Sequence, residues 1–327
     1  MIGDCLKCFL GQSFLVCLYM LLPLHIHHTL YEPDDRPTKA AILLLHGMQE
    51  HSGRYQNVAN YLKHQGYTVL TYDHSGHGLS AKTKEQLGFF RKNRPGDLLV
   101  SEAEQMARYL AHRAPGVPLV LMGHSMGSFI ARCVLKRAPN LFQDAILVGT
   151  GGPNPLAALF LPVLHIANVV APKIRSRWLN QLFAKINNQR FKHEKPNDGT
   201  NWLSVSLTNR KAFLDDKLCG VPFSNNAFLG LISLNVKATR SNWAENIPHS
   251  MPILLVSGID DPIGNFGKGV QTTARKLQNQ GFEHVDIKLY SNMRHEILNE
   301  DDRLLIFQDI AAWLAKYANK ETANRVV

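Results

Sequence analysis

Cysteine is too sparse and too unevenly placed in this chain to frame a disulfide scaffold. Three of the five cysteines (Cys5, Cys8, Cys17) fall in the first two dozen residues, and a reducing compartment is the simpler expectation. Cys5 and Cys8 have the spacing of half a zinc site, and His25, His27 and His28 follow. No second CxxC or spaced histidine pair completes the set. Charged residues are also few, at 19% against 45% hydrophobic, which excludes a disordered chain and a bundle of membrane helices. Internal repeats and low-complexity tracts are missing. One apolar run, "FLGQSFLVCLYMLLPL" at 9–24, is marginal in length for a spanning helix, with only Lys7 before it and no small-x-small cleavage pattern after it. A short anchor, a signal-peptide core, a buried strand pair and residues upstream of a start at Met20 all fit residues 1–25. The expectation is a cytoplasmic protein, soluble or peripheral to a membrane.

The formal net charge of +10 suits attraction to an anionic surface, phospholipid or nucleic acid. No nucleic-acid recognition motif accompanies it, so no nucleic-acid partner is expected. Short apolar runs at 40–47, 67–73, 118–123, 144–150, 252–258 and 285–290 read as buried parallel strands. Helix-like segments near 54–65, 97–113, 126–138, 266–280 and 303–318 alternate with them, which predicts an α/β fold with a mostly parallel sheet covered on both faces. The rhythm breaks at 153–248, which carries seven prolines and divides a first core part (26–152) from a second (249–327). This insertion opens apolar, turns basic, and has no acidic residue between Asp144 and Glu194. A helical cap over a greasy pocket, a face resting on anionic lipid, or an ordinary helical excursion would each read this way.

Residues 119–131, "LVLMGHSMGSFIA", place Gly123, Ser125 and Gly127 between a predicted strand and a predicted helix. Gly-x-Ser-x-Gly in that context is the signature of a nucleophile elbow, a turn so sharp that its flanking positions must lack side chains. It lifts the serine hydroxyl out of the sheet and leaves the Met126 amide at a helix N-terminus, able to donate to a developing oxyanion. Serine needs a base, and the base an acid to orient it. Sites in such folds collect at the C-terminal ends of strands, so His295 qualifies where His284, ahead of its strand, does not. His46 and His124 read as structural, and His74 and His77 as shaping the floor of the site. The same rule removes Asp144 and Asp286 and leaves Asp260 and Asp261, of which Asp261 is preferred.

The chain order Ser125, Asp261, His295 is that of α/β-hydrolases. With "LLLHGMQEHSGRY", "TYDHSGHGLS", "GHSMGS", "SGIDDPIG" and "RHEILNE", the chain resembles the α/β-hydrolase superfamily over about residues 26–316. Within it, the resemblance is to the monoacylglycerol lipase and lysophospholipase group, also described as serine aminopeptidase-like. That resemblance implies the Met48 amide as second oxyanion donor and a supporting role for Glu50 and His51 in the oxyanion loop. It also implies a hydrophobic acyl pocket, for which Trp178, Phe183, Trp202, Phe213 and Phe228 are candidates. The glycine-turned hairpin usual before "LYEP" is replaced here, so the first strand is not expected from the pattern.

The expectation is therefore a serine esterase acting on a single-chain lipid ester, through an acyl-enzyme and without a metal or organic cofactor. An aminopeptidase or small-ester hydrolase would use the same three residues, and a peptidase would need a carboxylate for the substrate's amino terminus. Glu194, Asp198, Asp215, Asp216 and Glu245 are the insertion's candidates for it. A hydrolase-fold binding protein with a silent triad is the rival of a different class.

Overall fold

The computed structural model describes residues 26–318. Cys5, Cys8, Cys17, His25 and the apolar run at 9–24 lie outside the described residues. Seven strands form one sheet in the order β1-β3-β2-β4-β5-β6-β7: β1 His28–Tyr31, β2 Ala41–Leu45, β3 Thr68–Tyr72, β4 Leu119–His124, β5 Asp144–Val148, β6 Ile253–Gly258 and β7 Val285–Tyr290. All neighbours pair in parallel except β1, which runs antiparallel to β3 with Thr29 opposite Thr71. Four residues suffice for this edge strand, and so short a run offers no alternation to read.

Side-chain alternation builds two cores from the same strands. Leu43, Leu45, Leu121 and Leu255 face one side, under α2 (Pro95–Arg113) and α3 (Met126–Arg137). Ile42, Leu44, Val120, Met122, Leu254 and Val256 face the other, under α1 (Gln56–His64) and the last helix, Arg303–Ala318. The expectation that every apolar run is a buried strand fails at β7. Most of its residues are half-buried or exposed because it closes the sheet as an edge. Asp286 there accepts from the Trp313 indole at 2.8 Å, so it serves packing.

Between β5 and β6 the chain leaves the sheet and forms α4 (Pro155–Leu159), α5 (Leu161–Val170), α6 (Arg177–Asn188), α7 (Leu207–Asp215) and α8 (Asn225–Thr239). Helix α8 joins this group to the body of the protein, packing its buried residues on α2, α3 and α5. Helix α5 is apolar nearly all round, yet Leu164 and Asn168 are its only buried residues. Helices α9 (Lys268–Asn279) and α10 (Arg303–Ala318) complete the body. Among the described residues no helix is long and apolar enough to cross a membrane.

Candidate active site

Ser125 lies between β4 and α3 with φ 53° and ψ −119°, a conformation that a residue with a Cβ holds only under strain. Its neighbours dictate glycine. A Cβ on Gly123 would sit 2.4 Å from the Gly127 carbonyl oxygen, and one on Gly127 would sit 2.3 Å from that of Leu45. The Ser125 amide donates to the Val148 carbonyl at 2.9 Å, and its carbonyl accepts from the Ser128 hydroxyl at 2.6 Å, so the turn is fixed on both sides. Met126 opens α3, where first-turn amides have no intrahelical acceptor.

His295 and Asp261 meet at the same end of the sheet, beyond β7 and β6. The His295 Nδ1 lies 3.0 Å from the Asp261 Oδ2 and donates to it, while Oδ1 accepts from the Ile263 amide at 2.8 Å. The Ser257 hydroxyl adds a third bond to Asp261, at 3.1 Å. Both partners are fully buried, whereas Asp260 is half-buried and Asp261 alone faces the imidazole. The Nε2 of His295 is left for other work. The Ser125 hydroxyl makes no side-chain hydrogen bond among the described residues. Such contacts are often long before substrate binds.

The His295 ring is packed against two other rings. Trp202 lies tilted against it at 5.1 Å and 31°, and His124 at 4.7 Å and 44°. His124 Nε2 donates to the His295 carbonyl at 3.1 Å, so this histidine of the Gly-x-Ser-x-Gly turn, read as structural from sequence, fixes the backbone of a distant one. Its Nδ1 reaches the Tyr55 hydroxyl at 2.7 Å and Glu50 at 3.2 Å, and the Tyr55 hydroxyl donates to Glu50 at 2.6 Å. Burial works against charge on both His124 and Glu50, but their mutual attraction prevails: the His124 pKa is raised and that of Glu50 lowered, the latter helped by Arg54. Each favours the charged form of the other.

Glu50 also braces the loop after β2. Its Oε1 accepts from the Gly47 amide at 2.6 Å, and a Cβ on Gly47 would collide with it at that distance. Met48 follows in this loop, half-buried, and Gln49 takes a positive φ of 56°. Beneath the loop, His46, His74 and His77 form a buried cluster with ring centroids 4.2, 5.1 and 6.1 Å apart. Their role here is packing and backbone support: His46 Nε2 accepts from the His74 amide at 3.0 Å. His51 turns away from Glu50, its Nε2 meeting Asp216 at 2.8 Å.

Several supports were not singled out from sequence. Arg54 clasps Glu296 through two bonds of 2.5 and 2.8 Å and reaches Asn209 at 2.8 Å, which ties the β2 loop to α7 and to the residue after His295. Glu300 gathers the Ser204 hydroxyl and the amides of Val205, Ser206 and Arg294. The clue in sequence was the density of charge in "RHEILNE", where buried charges demand partners. Of the aromatic candidates, Trp202 and Phe213 share a small buried cluster with Phe183 packed against it, and Phe228 belongs to the main core. Trp178 is exposed.

The family described as serine aminopeptidase, S33, matches residues 36–302. A monoglyceride lipase homolog of Monkeypox virus is 27% identical over 303 residues, covering 91% of this chain and 97% of its own length. A monoacylglycerol lipase of Mycolicibacterium smegmatis is 22% identical over 299 residues, covering 89% and 93%. Among solved structures, a thermostable carboxyl esterase from Bacillus coagulans in complex with glycerol superimposes with a TM-score of 0.81 at 26% identity, over 90% of this chain and 94% of its own. The chain belongs to the serine aminopeptidase S33 family, in the monoacylglycerol lipase group of the α/β-hydrolases, and is a hydrolase of the lipase and esterase kind.

Proposed function

We propose that this protein hydrolyses the carboxylic ester of a single-chain lipid, a monoacylglycerol or a lysophospholipid, through an acyl-enzyme. The observation that carries the reading is the Asp261–His295 contact, beside a strained Ser125 at the same end of the sheet. In this mechanism His295 Nε2 takes the Ser125 proton as Oγ adds to the ester carbon. Asp261 keeps the other imidazole proton on Nδ1 and stabilises the imidazolium. The Met48 and Met126 amides donate to the oxyanion. The tetrahedral adduct collapses by breaking the bond to the alkoxy oxygen, which leaves with the proton from His295. Water then repeats the sequence on the acyl-enzyme and releases the fatty acid.

Two features favour lipid over peptide. Leu156, Leu159, Ile166, Val169 and Val170 of α4 and α5 are each two-thirds exposed or more, and Lys173, Arg175 and Arg177 follow them. Exposed apolar helices followed by a cationic stretch suit an anionic membrane surface from which such a lipid would enter. The carboxylates that could hold a peptide amino terminus are, by contrast, already paired. Glu194 is clasped by Arg294, Asp198 by Arg210, Asp215 by Lys211, Asp216 by His51 and Glu245 by Lys136. Labelling with a fluorophosphonate, followed by peptide mass mapping, tests the nucleophile. The adduct is expected on Ser125 and lost in His295→Ala; an adduct elsewhere, or none on folded protein, overturns the mechanism.

A further inference from the structure

On the outer side of the β2 loop, His51, Asp216 and Cys219 each present a ligand atom, all within 4.8 Å of one another. The three come from two stretches of chain far apart in sequence: His51 follows β2, and Asp216 and Cys219 lie in the turn after α7. That turn is rigid. The Asp216 Oδ1 accepts from the Leu218 amide at 2.8 Å, the Cys219 amide donates to the Asp216 carbonyl at 3.0 Å, and the Gly220 amide donates to the Gln49 carbonyl at 2.8 Å. The remaining carboxylate oxygen, Oδ2, faces His51 Nε2 at 2.8 Å.

We propose that His51 Nε2, Asp216 Oδ2 and Cys219 Sγ bind a divalent transition-metal cation of the zinc class, which straps the turn after α7 to the loop carrying Met48. Imidazole, carboxylate and thiolate are the ligand types such a cation selects, and three protein ligands leave a fourth position for water. Asp216 is a third exposed and His51 17%, so solvent reaches these two, while Cys219 is buried. The Leu218 bond already orients the carboxylate, as outer hydrogen bonds do in metal sites. On binding, the thiol proton goes to solvent and the imidazole proton moves from Nε2 to Nδ1. The long contact of Nδ1 with the Gly53 amide, 3.2 Å and exposed, passes to water.

The test is Co²⁺ titration of the full chain in chelator-treated buffer, read by absorption. Cys5→Ser, Cys8→Ser, Cys17→Ser and Cys133→Ser together leave Cys219 the sole thiol. That protein is expected to bind one equivalent with a thiolate-to-cobalt charge-transfer band in the near ultraviolet, and Zn²⁺ is expected to bleach it. Adding Cys219→Ser to this four-serine protein should remove the band, and adding His51→Gln to it, which keeps the thiol, should weaken binding by about tenfold or more. A band that survives Cys219→Ser, or none in the single-thiol protein while its circular dichroism is native, overturns the site. The readout does not depend on hydrolysis.

Discussion

Acid should destabilise this protein through the histidines beneath the β2 loop, and His77 is the sharpest probe. Its ring is buried against Phe90 and Phe223 at 5.4 and 5.5 Å, Nδ1 donates to the Ser75 carbonyl at 3.2 Å, and Nε2 has no partner. Burial lowers its pKa to about 3, with the neighbouring His46 adding to the effect. His46 and His74 are lowered in the same way, His74 with its Nδ1 also unpartnered. The sign follows from proton uptake. Below the ordinary histidine pKa of about 6.5 the unfolded chain protonates at His77 and the folded chain does not, so stability falls with pH from that value down to the folded pKa near 3. At pH 5 the cost from His77 alone is RT ln(1 + 10^1.5), about 2 kcal/mol. His77→Phe keeps the ring between its aromatic neighbours and gives up one hydrogen bond, worth about 1 kcal/mol at any pH. Urea unfolding of both proteins at about pH 5 and pH 7.5 isolates the rest, because carboxylates common to both cancel. The variant should lose less stability on acidification than the parent, by about 2 kcal/mol. Equal losses, to within about 0.5 kcal/mol, would refute the reasoning.

Three further outcomes follow from the geometry. Gly127→Ala forces a Cβ to 2.3 Å from the Leu45 carbonyl oxygen, so we expect a loss of about 3 kcal/mol in chemical denaturation and a fluorophosphonate reaction at least about 100-fold slower; labelling at the parental rate would contradict this. Tyr55→Phe leaves Glu50 and His124 each short of a buried partner, which should cost about 1–3 kcal/mol by the same assay; a neutral change would deny the pair its role in bracing the loop. Serine at Ile166 and Val170 together should weaken sedimentation with anionic vesicles by about tenfold or more while leaving a soluble ester substrate turned over normally; unchanged sedimentation would place the membrane contact elsewhere.

How much of this was legible from sequence depends on whether the determinant is local. Gly123, Ser125 and Gly127 announce their turn because a steric rule acts over four residues, and the structure gives the contacts that enforce it. Five buried apolar runs read as strands for the same reason. The pairing of β1 was not legible, since four residues at an edge carry no period. Nor was the edge position of β7, which is set by strand order and not by composition. Asp261, preferred over its chemically alike neighbour Asp260 from sequence, is the one that is fully buried and meets His295. His124 looked like a neighbour of Ser125, yet its partners Glu50, Tyr55 and the His295 carbonyl come from two other stretches of chain. The same holds for Arg54, whose bonds to Glu296 and Asn209 exist only once the helical excursion has folded back over the loop.

The central claim is tested most directly by measuring fatty-acid release from a monoacylglycerol and from a lysophospholipid of equal chain length, with Ser125→Ala in parallel. The account predicts release from at least one of the two by the parent protein and background release by the variant. Release that persists in a pure Ser125→Ala protein would contradict the mechanism. No release from either lipid by a protein whose Ser125 still takes up fluorophosphonate would contradict the substrate class and favour a peptide or small ester.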